Sequence, residues 1–318
     1  MKAVVYEKYG SPEVLELKEV ELPFPKDNQI MIEVYAVSLN SADLDYLRGY
    51  WMARPTGFLK PRFKILGTDV AGRVVSVGSN ITRFKPGDEV FGDLYMKGFG
   101  GFAEYVCGPE EVFTIKPRII SFEEASTINS AALIALQGLR GKRDIQPGQK
   151  VLINGAGGGI GSFAVQIAKL FGAEVTGVDS TEKIEMLKSI GADYTIDYTQ
   201  EDFTALGSQY DLILDFVAHH SLSEYKRALT PEGIIVIGGG RIKVILSALI
   251  RSREKKISML MWRSNHKDDL KYLIELFEAG KIKPVIDKFY NLSQVSEALK
   301  YLEDGHNKGK LVIQIKES

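Results

Sequence analysis

The chain has 318 residues, 45% hydrophobic and 25% charged, with 40 Lys plus Arg against 41 Asp plus Glu and a formal net charge of −1. That balance excludes disordered and fibrous classes, and it removes the clustered surplus of cations by which proteins neutralise nucleic-acid phosphates. A single cysteine, Cys107, excludes an internal disulfide and leaves too few thiolates for a cysteine-rich structural zinc site; four histidines without an HExxH disfavour a zinc-centred mechanism as well. At about 100 to 200 residues per domain the length predicts two domains, each with its own core. Glycine, at 31 residues, exceeds the usual share of about 7% and asks where backbone must approach something closely.

The first ten residues, MKAVVYEKYG, lack the apolar core of a signal peptide, and no apolar run approaches about 18 residues. A cytoplasmic protein with no membrane partner is expected. From Met1 to about Ile120 short β-branched runs such as Ile30 to Val37 and Val70 to Val77 are broken by turn residues, which predicts a mostly β domain. Cys107 lies within it as a small packing residue. Ser121 and Glu124 form a capping-box pair ahead of an Ala, Leu and Ile-rich segment, so one long helix is predicted up to Leu139.

From Lys150 the pattern changes. Strands at Val151 to Asn154, Glu174 to Val178, Tyr194 to Ile196, Asp211 to Val217 and Ile234 to Ile237 alternate with helices at Ile160 to Phe171, Glu182 to Ile190 and Leu222 to Leu229. This spacing predicts an α/β, doubly wound parallel sheet. The basic run Arg251 to Lys256 reads as a solvated helix end. A helix from about Asp268 to Ala279 and a βα pattern through Lys316 follow.

The most specific segment runs from Lys150 through the glycine turn to Gly161 and on to Lys169. Strand, glycine turn and helix come in the order that makes a dinucleotide fingerprint credible, here Ala156-x-Gly158-x-x-Gly161. Gly158, Gly159, Ile160 and Gly161 would offer backbone N–H groups and the positive helix end to a pyrophosphate. Asp179, about 20 residues on, would accept from a ribose hydroxyl. A methyltransferase would place its acid just before the glycines, where this chain has Ile153-Asn154. A turn that only packs helix on strand is the other alternative.

Several further motifs stand in order along the chain: Leu39-Asn40-Ser41-Ala42-Asp43, Leu66 to Gly72, Phe84 to Val90, Gly101 to Tyr105, and Gly309-Lys310-Leu311-Val312. Together with the glycine turn they resemble the medium-chain dehydrogenase/reductase superfamily and its zinc-independent quinone oxidoreductase-like branch, over essentially the whole chain. The resemblance implies a GroES-like domain at 1–121, a Rossmann NAD(P)-binding domain at 122–266 and a C-terminal return at 267–318 that completes the first, with nicotinamide and substrate in the cleft between them. Zinc-dependent members place Cys and His where this chain has Asn40 and Gly67-Thr68-Asp69, and they add a four-cysteine lobe after the position near Val90; neither is present here, so no zinc is expected.

The same resemblance bears on the cofactor. Asp179 stands where NAD-using relatives carry an acid. Ser180, Lys183 and Tyr198 resemble the 2′-phosphate clamp of NADPH-using quinone reductases, and Ala156 in the turn looks like that branch. NADPH is therefore expected, with NADH possible; Lys183 as a solvated helix lysine and Tyr198 as a packing residue stay open. At the carboxyl edge of the sheet, Val217, Gly238 and Gly239 would line nicotinamide and ribose, while His219, His220 and Arg241 read as loop residues.

Without zinc ligands, alcohol oxidation lacks an obvious way to lower the alcohol pKa, whereas a quinone or conjugated enone has its electron sink built in. Such an acceptor needs stacking and a hydrogen bond to the developing oxyanion. Candidate donors are Asn40, Tyr46 and Tyr50, with Asp43 orienting them. The segment Tyr50 to Lys60 looks longer than its equivalent in common quinone reductases, and its aromatics suit a flat acceptor or a lid. The expected function is an NADPH-dependent reductase of quinones or α,β-unsaturated carbonyls, as a possible homodimer. The alternatives are a zinc-independent carbonyl or alcohol oxidoreductase, and a non-catalytic NADPH-binding sensor or structural protein.

Overall fold

In a computed structural model, which describes all residues except 51–56, 58, 96, 142–143, 208, 252–255 and 317–318, the chain opens with β1 (Lys2–Val5) and β2 (Glu16–Glu19), paired antiparallel. The apolar runs expected as strands follow as β3 (Gln29–Ser38), β4 (Asp69–Val77), β5 (Glu89–Asp93), β6 (Tyr105–Pro109) and β7 (Phe113–Ile115). They pair antiparallel, β3 with β4 and β6, β4 with β5, and β5 with β7. Between β3 and β4, α1 (Ser41–Arg48) starts at Asn40 and stops at Gly49, whose φ of 64° is the left-handed conformation that ends helices.

The single long helix expected after Ser121 is not continuous. The capping box forms, with Glu124 N–H donating to Ser121 Oγ at 3.1 Å and Ser121 N–H to Glu124 Oε2 at 2.9 Å. Then α2 (Phe122–Ser126) gives way to a π-helical turn at Ile128–Ala132 before α3 (Leu133–Arg140). The hydroxyls of Ser126 and Thr127 donate to the carbonyls of Glu123 and Glu124, both at 2.7 Å, competing with the helical ladder just ahead of the break. Asn129 and Ser130, on the π turn, use their side chains for contacts outside the helix.

The alternating half of the chain forms β8 (Lys150–Asn154), α4 (Gly159–Leu170), β9 (Glu174–Asp179), α5 (Ile184–Ser189), β10 (Tyr194–Asp197), β11 (Tyr210–Asp215), α6 (Leu222–Arg227), β12 (Leu229–Ile237), α7 (Ile242–Ile250) and β13 (Ile257–Met259). Its six strands are parallel in the order β10-β9-β8-β11-β12-β13. That is the doubly wound Rossmann order, whose strand order reverses beside β8. Its core joins Leu152, Val178, Ile213, Ile235 and Ile257 from the strands with Tyr225 and Ala248 from the helices.

The chain returns through α8 (Lys267–Glu278), β14 (Ile286–Asn291), α9 (Val295–Glu303) and β15 (Lys310–Gln314). Strand β15 lies parallel to β14 and antiparallel to β3, extending the first sheet to β14-β15-β3-β4-β5-β7. Two units result: 1–130 with 264–278 and 286–318, and 131–263 with 279–285. Residues 122–130 and 264–266, expected with the cofactor unit, thus lie in the first. Ser130 reaches Asp69, Asn129 reaches Asn265, and Ser264 reaches Asp93, which ties both segments to the β sheet. Residues 279–285 go with the second unit, where the Gln166 amide bonds Lys283 backbone at both its N–H and its carbonyl.

Cys107 is half-buried, and burial pushes its thiol up to about 11, which leaves it an inert packing residue. Most of the basic run at 251–256 and of the segment at 50–60 falls outside the described residues. Among those described, no helix is long and apolar enough to cross a membrane.

Candidate active site

The turn from β8 into α4 is held from beneath, since Gly155 and Ala156 N–H both donate to the Val178 carbonyl at 3.1 Å. Gly158 is the N-cap of α4 and brings no side chain to cap it, so the first-turn N–H groups of Gly159, Ile160 and Gly161 face outward with the helix dipole. A Cβ on Gly161 would lie 2.2 Å from the Gly155 carbonyl oxygen, and one on Gly158 would meet only that same oxygen, at 3.4 Å. The first glycine is needed by the fold; the second leaves room. This side-chain-free cradle fits a pyrophosphate.

Asp179 does not wait for a ribose. Its carboxylate accepts the Gly157 N–H at 2.7 Å and the Ser180 N–H at 2.9 Å, and it pairs with the Lys183 ammonium at 3.3 Å. Both side chains are buried. The expected ribose acceptor is therefore first a latch on the glycine turn, already neutralised by a cation four residues on. Lys183 is buried, not a solvated helix lysine, because a one-turn 3-10 helix at Thr181–Lys183 precedes α5 and turns it inward. Ser180 follows β9, and Tyr198 follows β10, whose Asp197 is the register partner of Asp179. The fold thus brings Ser180, Lys183 and Tyr198 to one strand edge, with the Tyr198 ring 58% exposed and so not a packing residue.

At the ends of β11 and β12 the loops are zipped together. Ala218 N–H donates to the Gly239 carbonyl, and Arg241 N–H to the Ala218 carbonyl at 2.8 Å. A Cβ on Gly238 would press on the Phe216 ring at 2.8 Å, and one on Gly239 on the Phe216 carbonyl at 2.7 Å. Part of the glycine surplus here thus serves the chain's own close approach. Val217 stands exposed above this edge. Beneath it, buried Asp215 accepts from Asn154 Nδ2, Tyr225 Oη and Val217 N–H, and burial pushes its carboxyl up. His219 and His220 stack on each other at 4.0 Å in the same loop, with His220 Nε2 3.6 Å from Asp202.

In the first unit, Asn40 and Asp43 belong to a buried polar cluster. Asp43 accepts the N–H groups of Asn40 at 2.9 Å and Gly67 at 3.1 Å, which fixes the start of α1 against the loop before β4. Lys310, at the start of β15, donates to Asn40 Oδ1 and to the Leu39 carbonyl, both at 2.8 Å. Asn40 Nδ2 donates in turn to Thr68 Oγ1 at 3.0 Å and Asp69 Oδ2 at 2.9 Å. The amide is thus a spacer between ammonium and carboxylate with both its hydrogens committed, not the free donor expected from its position. Ser130 Oγ reaches the other Asp69 oxygen at 2.8 Å. Across the register from Asp69, Asp93 accepts from Ser264 Oγ at 2.7 Å and Tyr95 N–H at 2.8 Å. Burial drives the carboxyls of Asp43 and Asp93 up to about 7, pushes Asp69 up, and pushes the Lys310 amine down.

The two tyrosines part company. Tyr46 is buried in an aromatic group with Phe63, Tyr95 and Phe99, its phenol pushed up to about 12 by burial and by Tyr95. It packs. Tyr50, just past the end of α1, is 51% exposed and joins neither that group nor the Asn40 cluster.

The residues around Asn40 do not suit zinc: their donors are an amide, a hydroxyl and a carboxylate, with an ammonium against the amide oxygen. Sequence reasoning missed Lys310, Thr68, Asp69 and Asp93 as members of this cluster. Thr68, Asp69 and Lys310 stand inside motifs that sequence does show, but nothing in the spacing says that Lys310 and Asn40, 270 residues apart, would meet.

Two family models match, the alcohol dehydrogenase GroES-like domain over residues 26–118 and a zinc-binding dehydrogenase domain over residues 190–313. A 2-methylene-furan-3-one reductase of Solanum lycopersicum is 36% identical over 98% of this chain and 79% of its own length. A chloroplastic NADPH-dependent alkenal/one oxidoreductase of Arabidopsis thaliana is 34% identical over the same shares. The solved quinone oxidoreductase from Coxiella burnetii superposes with a TM-score of 0.91 at 30% identity, covering 99% of each chain. The protein is an oxidoreductase of the medium-chain dehydrogenase/reductase superfamily. Within it, the chain belongs to the zinc-independent quinone oxidoreductase-like branch.

Proposed function

We propose that this protein is an NADPH-dependent reductase that delivers hydride to a quinone or an α,β-unsaturated carbonyl without zinc. The observation that carries the reading is the Lys310, Asn40, Thr68 and Asp69 cluster, which fills with hydrogen bonds the positions where zinc-dependent members carry metal ligands. The names of the tomato, Arabidopsis and Coxiella relatives support the acceptor class. Bound NADPH would supply the hydride. Gly158, Gly159, Ile160 and Gly161 would hold its pyrophosphate, Ser180, Lys183 and Tyr198 its 2′-phosphate, and Val217, Gly238 and Gly239 its nicotinamide half. Asn40 and Asp43 act as positioning residues that set the loop before β4.

Following NADPH absorbance with a panel of quinones, enones and simple aldehydes tests this directly. Turnover with the conjugated acceptors, unaffected by a chelator, is expected. Tight binding with no oxidation by any acceptor would overturn it in favour of a sensor. Tyr50 is the phenol left accessible to an acceptor, and Tyr50→Phe is expected to lower kcat about tenfold with NADPH affinity unchanged, whereas Tyr46→Phe, a change inside a packed group, should leave kcat within about twofold.

A homodimer belongs to the same proposal. Strand β13 is an edge of the parallel sheet, and beside it α7 exposes Ile242, Leu246 and Ile250, with Met261 just beyond the strand. An apolar face of this kind beside an open strand edge suits a second copy of the chain. Light scattering should give twice the 35.3 kDa chain mass, and Leu246→Glu with Ile250→Glu should give the monomer. A cytoplasmic location is part of the same proposal and is read by fractionation.

A further inference from the structure

We infer that Asp179 determines cofactor choice by holding Lys183 in an ion pair, so that the protein takes NADPH and NADH with only a modest preference for NADPH. The inference rests on the proposed function and deepens it. At the end of β9, the second strand in chain order of the parallel sheet, a carboxylate ordinarily favours a ribose diol, and a cation there favours a 2′-phosphate. This chain has both, 3.3 Å apart and both buried. The ammonium cannot lend its whole charge to a phosphate while Asp179 accepts it, and the carboxylate cannot present a bare charge to a ribose while Lys183 covers it.

The rest of the corner keeps the pair in place. Asp179 is fixed by the Gly157 and Ser180 N–H groups, so it cannot swing away without releasing the glycine turn. The Lys183 stem lies over Gly157, where a Cβ would come within 2.6 Å of its Cδ. Asp197, the register partner of Asp179, adds a second carboxylate that accepts from Thr181 and Thr199. Two acids and one lysine therefore stand together at this corner, with Ser180 and Tyr198 next to them in the chain. A site with a cation alone would discriminate strongly; this one is balanced.

The test is Asp179→Asn, whose amide oxygen can still accept the Gly157 N–H while the negative charge is gone. Dissociation constants for NADPH and NADH are measured by calorimetry on the intact protein, without turnover. The wild type is expected to bind the two within about tenfold of each other. The variant should favour NADPH about tenfold more than the wild type does, with NADH affinity within about threefold. An unchanged ratio overturns the inference, as does a wild-type preference of a thousandfold or more. Should the variant melt early, Lys183→Gln keeps the matter decidable: NADPH should weaken about tenfold and NADH by no more than threefold, and equal losses overturn it. If neither nucleotide binds the wild type, the proposed function itself fails, a result distinct from either of these.

Discussion

Gly161→Ala is expected to abolish cofactor binding and to lower the unfolding temperature together. The methyl would stand 2.2 Å from the Gly155 carbonyl oxygen and 2.6 Å from the Ala156 Cα, both backbone atoms that cannot rotate away. The start of α4 would have to move off the end of β8, an overpacking cost of about 1–3 kcal/mol. Gly158→Ala separates the two effects. Its methyl meets only one protein atom, at 3.4 Å, so stability should stay within about 0.5 kcal/mol while NADPH affinity falls at least tenfold, because the methyl stands at the N-cap where a phosphate must approach. Calorimetric titration with thermal melts checks both. Normal NADPH binding by Gly158→Ala would mean that the phosphate lies elsewhere.

The second large effect is at Lys310. Removing the amine that faces Asp43, Asp69 and Asp93 in a buried cluster, as in Lys310→Met, takes that cation from three carboxyls and strips a donor from Asn40 and from the Leu39 carbonyl. The loss should be about 3–5 kcal/mol of stability, with Lys310→Arg less affected. The pH dependence identifies the cause. Asp43 and Asp93 titrate near 7 in the folded state against about 3.9 in an unfolded chain, so folding takes up protons between those values. Their contribution is therefore most favourable at acid pH and declines as pH rises through 7. Asp93→Asn should flatten the fall in urea midpoint between pH 5 and 8, and Lys310→Met should steepen it. A Lys310→Met profile parallel to the wild type would assign the loss to packing alone.

The second unit was legible because its signals are local. The apolar run of β8, the glycines and the apolar face of α4 sit within twenty residues, and the strand and helix alternation that follows matches the sheet closely. Legibility ended where a side chain answers to something distant. Asp179 looks like a ribose ligand by spacing, and only folding reveals that Gly157 and Lys183 reach it first. Asn40 looks like a donor by position, yet its amide is spent between Thr68, Asp69 and a lysine 270 residues later. The helix break at Ile128–Ala132 escaped for the same reason: nothing around Asn129 and Ser130 disfavours helix locally as much as Asp69 and Asn265 favour drawing them out of it. Tyr46 and Tyr50, chemically identical, were separated only by an aromatic pocket built from residues up to Phe99.

The return of β15 to the first sheet also imposes an order on synthesis. As the chain leaves the ribosome, residues 131–263 can gather nearly the whole second unit while β3, β4 and β5 still lack the neighbour that brings Lys310. Until then Asp43, Asp69 and Asp93 have no ammonium beside them, and the sheet that would bury them is penalised for closing. The charge cluster thereby acts as a check that the first unit seals only once β15, more than 200 residues further along the chain, has joined β3.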